Sequence, residues 1–97
     1  MKIPKKLKIC GLDYTIVLLK DLYLDEGLAG QHDGDKQIIK LQNRGYHSQT
    51  IEQNFFHEVM HAINSNYLNG KLDEDEVDSI SKGIYQTLKD NKLLKEK

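Results

Sequence analysis

The 97-residue sequence predicts an α+β fold, in which a small N-terminal sheet of about three strands packs on two C-terminal helices. Short aliphatic and β-branched segments separated by turn residues occupy the first half of the chain. In the second half, apolar residues recur at helical spacing. The hydrophobic content of 38% and the chain length suit one modest core, so we expect residues 1–97 to form a single domain.

The predicted strands come first. Leu7 to Cys10 and Tyr14 to Leu19 have the composition of strands, and Gly11-Leu12-Asp13 between them predicts a hairpin turn. The stretch from Asp21 to Gly34 is less regular, with glycines that indicate turns or close backbone approaches. Lys36 to Leu41 predicts a third strand. The resulting small sheet is antiparallel or mixed.

The first predicted helix follows Asn43-Arg44-Gly45, and either Ser48 or Thr50 can cap it. At 100° per residue its apolar side chains fill one broad arc, as a helix packed on a core requires. These side chains are Ile51, Phe55, Phe56, Val59, Met60, Ala62, Ile63 and Tyr67. His57 and His61 fall outside the arc, so we expect them on a different face of the helix.

This helix contains the sequence HEVMH at residues 57–61. His57 and His61 lie one helical turn apart on one face, where both imidazoles can reach one metal ion. Glu58 can serve a water bound to that ion, which indicates zinc and hydrolysis. Two alternatives are core histidines with satisfied ring nitrogens, which the position outside the apolar arc disfavours, and ordinary histidines on a solvated face.

The second predicted helix begins in the acidic segment Asp73 to Asp78. Asp73 is a suitable N-cap, and Glu76 three residues later completes a capping box. The apolar stripe of this helix consists of Val77, Ile80, Ile84 and Leu88. The stripe predicts that the helix packs beside the first one, antiparallel and after a short loop.

A catalytic zinc usually has three protein ligands, so one more His or acid is expected near the motif. Glu74 borders the apolar stripe of the second helix on the side that faces the first helix. Asp78 lies one turn further along and can hold a ligating imidazole by its second nitrogen. Asp75, Glu76 and Asp78 stay open as alternative ligands, and the whole acidic cluster can also serve only to stabilise the helix N-terminus.

The HEVMH helix followed by an acidic helix start resembles the gluzincin branch of the zinc metallopeptidases. The order of short strands, motif helix and acidic helix is similar to small ImmA/IrrE-type and minigluzincin-like proteins of phages and prophages, and residues 83–91 resemble the ending of such phage proteins. The resemblance implies a zincin-like fold in which the strand Lys36 to Leu41 borders the cleft and pairs with an extended peptide. It assigns His57, His61 and Glu74 as Zn²⁺ ligands, Glu58 as general base and Asp78 as a support.

The implied activity is zinc-dependent peptide hydrolysis, in which a metal-activated water attacks the peptide bond and Glu58 passes its proton to the leaving amine. The substrate is expected to be a peptide or a specific protein such as a repressor, the role known for some relatives. A non-catalytic zinc-binding phage module that acts by protein–protein interaction and a metal-free structural domain remain alternatives. The presence of Glu58 favours the enzyme, since a purely structural zinc site has no use for it.

Charge and composition disfavour several other classes. The net charge of −1 gives no broad basic field, so we expect no nucleic-acid partner. No apolar run approaches the length that spans a bilayer. The single cysteine, Cys10, cannot form an internal disulfide, and no leader precedes the first strand, so the expected location is the cytoplasm. We expect Cys10 to be a buried or half-buried apolar residue.

Two isolated histidines are weaker candidates for the site. His32 and His47 could approach the metal or steady a reaction intermediate, but lone histidines in loops are usually surface residues. At the C-terminus, residues 92–97 are charged enough to fray. The oligomeric state is not predicted by any of these features.

Overall fold

The computed structural model describes residues 1–95 and has the α+β organisation that the sequence predicts. The elements are, in chain order, β1 (Lys6–Ile9), β2 (Leu12–Leu19), α1 (Leu22–Glu26), β3 (Gly30–Asp33), β4 (Ile38–Gln42), α2 (Ser48–Tyr67) and α3 (Glu74–Asp90). Residues 96–97, which end both the predicted domain and the segment expected to fray, lie outside the described residues.

The sheet has four strands in the order β1-β2-β4-β3, rather than about three. β1 and β3 are antiparallel to their neighbours, whereas β2 and β4 run parallel, so the sheet is mixed. The additional strand β3 and the five-residue helix α1 lie in the stretch from Asp21 to Gly34, for which no regular element was predicted. Both are too short to show a period, and the Gly-Gln-His-Asp sequence of β3 has low strand propensity.

The turn between β1 and β2 consists of Cys10 and Gly11, because Ile9 pairs directly with Leu12. Both turn residues have positive φ, 55° at Cys10 and 73° at Gly11, as a two-residue turn between twisted strands requires. The predicted turn at Gly11-Leu12-Asp13 is therefore displaced by one residue at its start. Cys10 is exposed at the tip of the hairpin, so the expectation that it is buried or half-buried is wrong.

Helix α2 packs most of its apolar arc on the core that it forms with one face of the sheet, whereas Tyr67 at the end of the helix is 59% exposed. The core cluster consists of Ile9, Tyr14, Ile16, Ile39, Leu41, Ile51, Phe55 and Ala62. His57 and His61 lie outside this cluster and are half-buried, as their place on the helix predicts. The N-cap of α2 is His47, whose Nδ1 accepts the main-chain N–H two residues later at 3.1 Å, so neither Ser48 nor Thr50 caps the helix.

Helix α3 lies against α2 through one buried row, Val77, Ser81 and Tyr85. Two members of the predicted apolar stripe, Ile80 and Ile84, are instead 39% and 44% exposed. The hydroxyl of Tyr85 donates a 2.6 Å hydrogen bond to the buried carboxylate of Glu52 on α2, and this contact keeps the Tyr85 side of α3 inward. Glu74 lies near the same side of the helix and therefore faces α2.

The connection between α2 and α3 determines where α3 begins. The Asn64 side chain binds Leu72 twice, since its Oδ1 accepts the Leu72 N–H and its Nδ2 donates to the Leu72 carbonyl oxygen, each at 3.1 Å. Gly70 supplies a positive φ of 70° for the turn. Asp73 and Glu76 then form the predicted capping box, which orders the first turn of α3 beside the HEVMH motif.

Candidate metal centre

Three potential metal ligands converge where α2 meets the first turn of α3. His57 Nε2 lies 2.8 Å from Glu74 Oε1, and His61 Nε2 lies 3.0 Å from Glu74 Oε2. The two Nε2 atoms are 3.1 Å apart. One ligand atom from each of the three residues therefore lies within 4.8 Å of the others. The i, i+4 spacing on α2 supplies the two imidazoles, and the capped start of α3 supplies the carboxylate.

Asp78 fixes the orientation of the His57 ring. Its Oδ1 lies 3.1 Å from His57 Nδ1, and its Oδ2 pairs with Lys82 at 2.8 Å. Lys82, assisted by His57, lowers the pKa of Asp78, so this carboxylate is ionised and accepts the Nδ1–H of His57. A neutral His57 consequently has its lone pair on Nε2, the nitrogen that faces Glu74.

The ligand atoms of this cluster could hold a cation. With His57 neutral, a ring lone pair, a carboxylate oxygen and the nitrogen of His61 point toward one another, and such acceptors need a proton or a metal ion between them. Two imidazoles and one carboxylate are a common ligand set of catalytic zinc. Tetrahedral zinc places ligand atoms about 3.3 Å apart at bond lengths of about 2.0 Å, so small shifts would adapt the observed spacing to the ion.

Glu58 is 7% exposed, and its side chain borders the same cleft as the histidines. Burial raises the pKa of Glu58 from 4.5 to about 7, while His57 opposes and Glu74 adds to this rise. A carboxyl group with a pKa near neutrality can both accept and release a proton. Gly30 of β3 leaves room for it, because a Cβ at residue 30 would lie 3.0 Å from Glu58 Cγ and Oε2.

The cleft has a volume of about 550 Å³ and lies between the start of β3 and the two long helices. Residues 28–32 form its wall on the side of the sheet. The bordering strand is thus β3, whereas the segment Lys36 to Leu41, predicted for this role, contributes to β4 between β2 and β3. The resemblance to small gluzincins does not predict this fourth strand. Within the described residues, β3 pairs with β4 alone, so its other edge is free.

The structure brings Glu74 to the histidines, and not Asp75 or Glu76. Glu76 is engaged in the capping box, where its Oε1 accepts the main-chain N–H of Asp73 at 2.9 Å. Asp75 lines a different part of the surface of α3, beside Ile80. Glu74 itself is 67% exposed, so this corner of the cluster is open to solvent.

Of the two isolated histidines, His32 lies in the cleft and His47 does not. His47 caps α2, whereas His32 projects from β3 and binds the Tyr14 hydroxyl. The sequence predicts a loop at His32, because the residues of β3 have no strand pattern. The available signal is its spacing from Gly30: residues two apart on a strand share a face, and Gly30 abuts Glu58.

Within residues 1–95, no helix combines the length and the apolar character needed to cross a membrane. Comparisons of the chain with protein-family models, with curated proteins and with solved structures found no match. The resemblance to the gluzincins therefore stays a prediction, and the interpretation of the site depends on the geometry of its own residues.

Proposed function

We propose that the chain is a zinc-dependent metallopeptidase that hydrolyses peptide bonds in the cleft between β3, α2 and α3. The observation that carries this proposal is the convergence of two imidazole nitrogens and one carboxylate oxygen within 4.8 Å, beside a buried carboxyl group. His57, His61 and Glu74 hold the metal in this proposal. Glu58 is the general base.

The openness of the cluster supports a catalytic metal rather than a structural one. Structural zinc sites are closed by four protein ligands, whereas catalytic sites leave one position for water or substrate. Among the described residues the cluster contains His57, His61 and Glu74 and no fourth potential ligand. The exposure of Glu74 lets solvent reach the ion position.

Zinc at this position would supply a Lewis acid and an acidified water. Glu58 follows His57 in the chain and lines the cleft, where its carboxylate accepts one proton from the attacking water. It then gives this proton to the leaving amine nitrogen, so that Glu58 is ionised again at the end of the cycle. Asp78 accepts the Nδ1–H of His57, which holds the ring and makes its Nε2 a better donor to the metal.

The free edge of β3 supports a peptide as the substrate. An unpaired strand edge presents main-chain N–H and C=O groups, and an extended peptide can add to it as a further strand. β3 shares the wall of the cleft with His57 and Glu58, so a peptide bound there would lie close to the proposed reacting groups. This recognition mode uses the backbone and places few demands on the sequence of the substrate.

Cleavage of a mixed peptide library by the zinc-loaded chain, read by mass spectrometry, tests the proposal. We expect cleavage that stops when zinc is chelated and returns when zinc is added. Glu58→Gln should retain zinc and lose cleavage, because an amide cannot accept the proton. His57→Ala should lose both, whereas Asp75→Asn, on another side of α3, is the matched control and should stay active.

Three outcomes would contradict the proposal. Full activity of Glu58→Gln would remove the general base from the mechanism. Cleavage that resists chelation would remove the metal. A wild-type chain that binds zinc but cleaves no peptide in the library would favour the alternative of a non-catalytic zinc module.

A further inference from the structure

His32 is a cleft residue to which the proposed hydrolysis assigns no role. It lines the same cavity as Glu58 and His61, and its position on β3 places it opposite α2. The ring lies close to Tyr14, with 5.5 Å between the ring centroids. A half-buried imidazole that borders a polar cleft can bind whatever occupies that cleft, and its hydrogen bonds determine whether it donates or accepts there.

A chain of hydrogen bonds determines where the proton of His32 lies. The side-chain nitrogen of Asn66 donates to the Ala62 carbonyl oxygen at 2.9 Å and to the Tyr14 hydroxyl oxygen at 3.3 Å. Tyr14 is 1% exposed, and among the described residues His32 Nε2, 2.9 Å away, is the one acceptor within reach of its hydroxyl proton, so the hydroxyl donates to His32. Nε2 is then the acceptor, and a neutral His32 carries its proton on Nδ1.

The Nδ1–H of His32 is a donor without a protein acceptor. Within residues 1–95, the hydrogen bond to Tyr14 is the one that His32 makes. No buried side-chain nitrogen or oxygen of these residues lacks a partner, so Nδ1 is accessible to solvent rather than sealed in the core. Burial, with a smaller contribution from His61, lowers the pKa of His32 against the opposing effect of Asp33 and favours this neutral form.

We propose that His32 directs its Nδ1–H into the cleft and donates a hydrogen bond to a carbonyl or anionic oxygen of the bound ligand. This inference deepens the proposed peptidase function and rests on it. Tyr14 and Asn66 are positioning residues, because they hold the ring in one orientation before the ligand arrives. A donor that is oriented in advance stabilises developing negative charge without a cost of reorganisation.

Two substitutions separate the donor role from a purely structural role. The side-chain amide of Asn reaches about as far as Nδ1, so His32→Asn keeps a donor near that position but loses the bond to Tyr14. Gln is longer and reaches the position of Nε2, so His32→Gln keeps an acceptor for Tyr14 but has no donor near Nδ1. A donor role predicts that Asn is the better replacement, whereas a structural role predicts that Gln is.

The affinity of the zinc-loaded full chain for acetohydroxamate, measured by calorimetry, tests the inference without any need for turnover. Acetohydroxamate binds zinc and presents a carbonyl oxygen. We expect His32→Gln to bind it roughly 10-fold or more weakly than wild type, the effect of one lost hydrogen bond to a charged ligand. His32→Asn should bind nearly as tightly as wild type, and both variants should contain as much zinc as wild type.

Other outcomes would overturn the inference. Equal affinities of wild type and His32→Gln, or a weaker affinity of the Asn variant than of the Gln variant, would exclude the donor role. Loss of zinc from His32→Gln would also exclude it, since His32 would then belong to the metal ligands. A wild type that binds zinc and acetohydroxamate but cleaves no peptide would refute the peptidase alone, and a wild type that binds no zinc would overturn both proposals.

Discussion

Glu58 should destabilise the metal-free protein at neutral and alkaline pH, and Glu58→Gln isolates this effect. Burial raises the pKa of Glu58 from 4.5 to about 7, so the folded chain binds this proton more tightly than the unfolded chain. The stability that the protonated group contributes is complete below pH 4.5 and is lost as the pH rises through about 7. At about 1.4 kcal/mol per pKa unit, the full loss over this shift is about 3.5 kcal/mol.

Urea unfolding of chelator-treated wild-type and Glu58→Gln protein, at about pH 5 and about pH 8, measures this loss. Gln does not titrate, and the other ionisable groups are common to both proteins. The difference between their free energies of unfolding should therefore shift by about 2.5 kcal/mol between the two pH values, in favour of the variant at the higher pH. The same pH dependence in both proteins would refute the argument that the cleft desolvates Glu58.

Further substitutions probe the surroundings of the site. Gly30→Ala places a Cβ 3.0 Å from the Glu58 side chain, so it should lower kcat/KM while the zinc content stays unchanged; an undiminished kcat/KM would mean that Glu58 can move aside. Gly83→Ala on α3 is the matched control, since nothing lies within 4 Å of its Cβ position. This variant should keep its activity, and denaturant unfolding should show a free energy of unfolding higher by about 0.5–1 kcal/mol. Asp78→Asn should weaken zinc binding about 10-fold or more in competition with a chromophoric chelator, because His57 loses a charged acceptor, and an unaltered affinity would remove Asp78 from the site.

The two long helices and their proximity could be predicted from local signals. Helical periodicity, the Asp73 and Glu76 capping box and a short connecting loop are each encoded within a few residues. Two antiparallel helices joined by a short loop leave few ways to arrange their facing sides. The position of Glu74 beside His57 and His61 followed from that restriction, which is why one acid among several could be preferred in advance.

The wall of the cleft could not be predicted, because it depends on tertiary pairing. β3 is four residues long, and its own sequence has no alternating pattern. It is a strand because its main chain is hydrogen-bonded to β4. His32 was consequently undervalued, since it binds Tyr14 of β2 and lines the cleft together with His61 of α2, both distant in sequence. The exposure of Ile80 and Ile84 was likewise missed, because the inward side of α3 is the one on which Tyr85 binds the buried Glu52 carboxylate.

The zinc content of the purified chain tests the central claim most directly. After incubation with zinc and dialysis against metal-free buffer, elemental mass spectrometry should find one zinc per chain in the wild type and in Asp75→Asn. Glu74→Gln should lose the metal, because a neutral amide replaces the carboxylate that faces both imidazoles. A wild type without zinc, or a Glu74→Gln variant with undiminished zinc, would contradict the claim that these three side chains form a metal site.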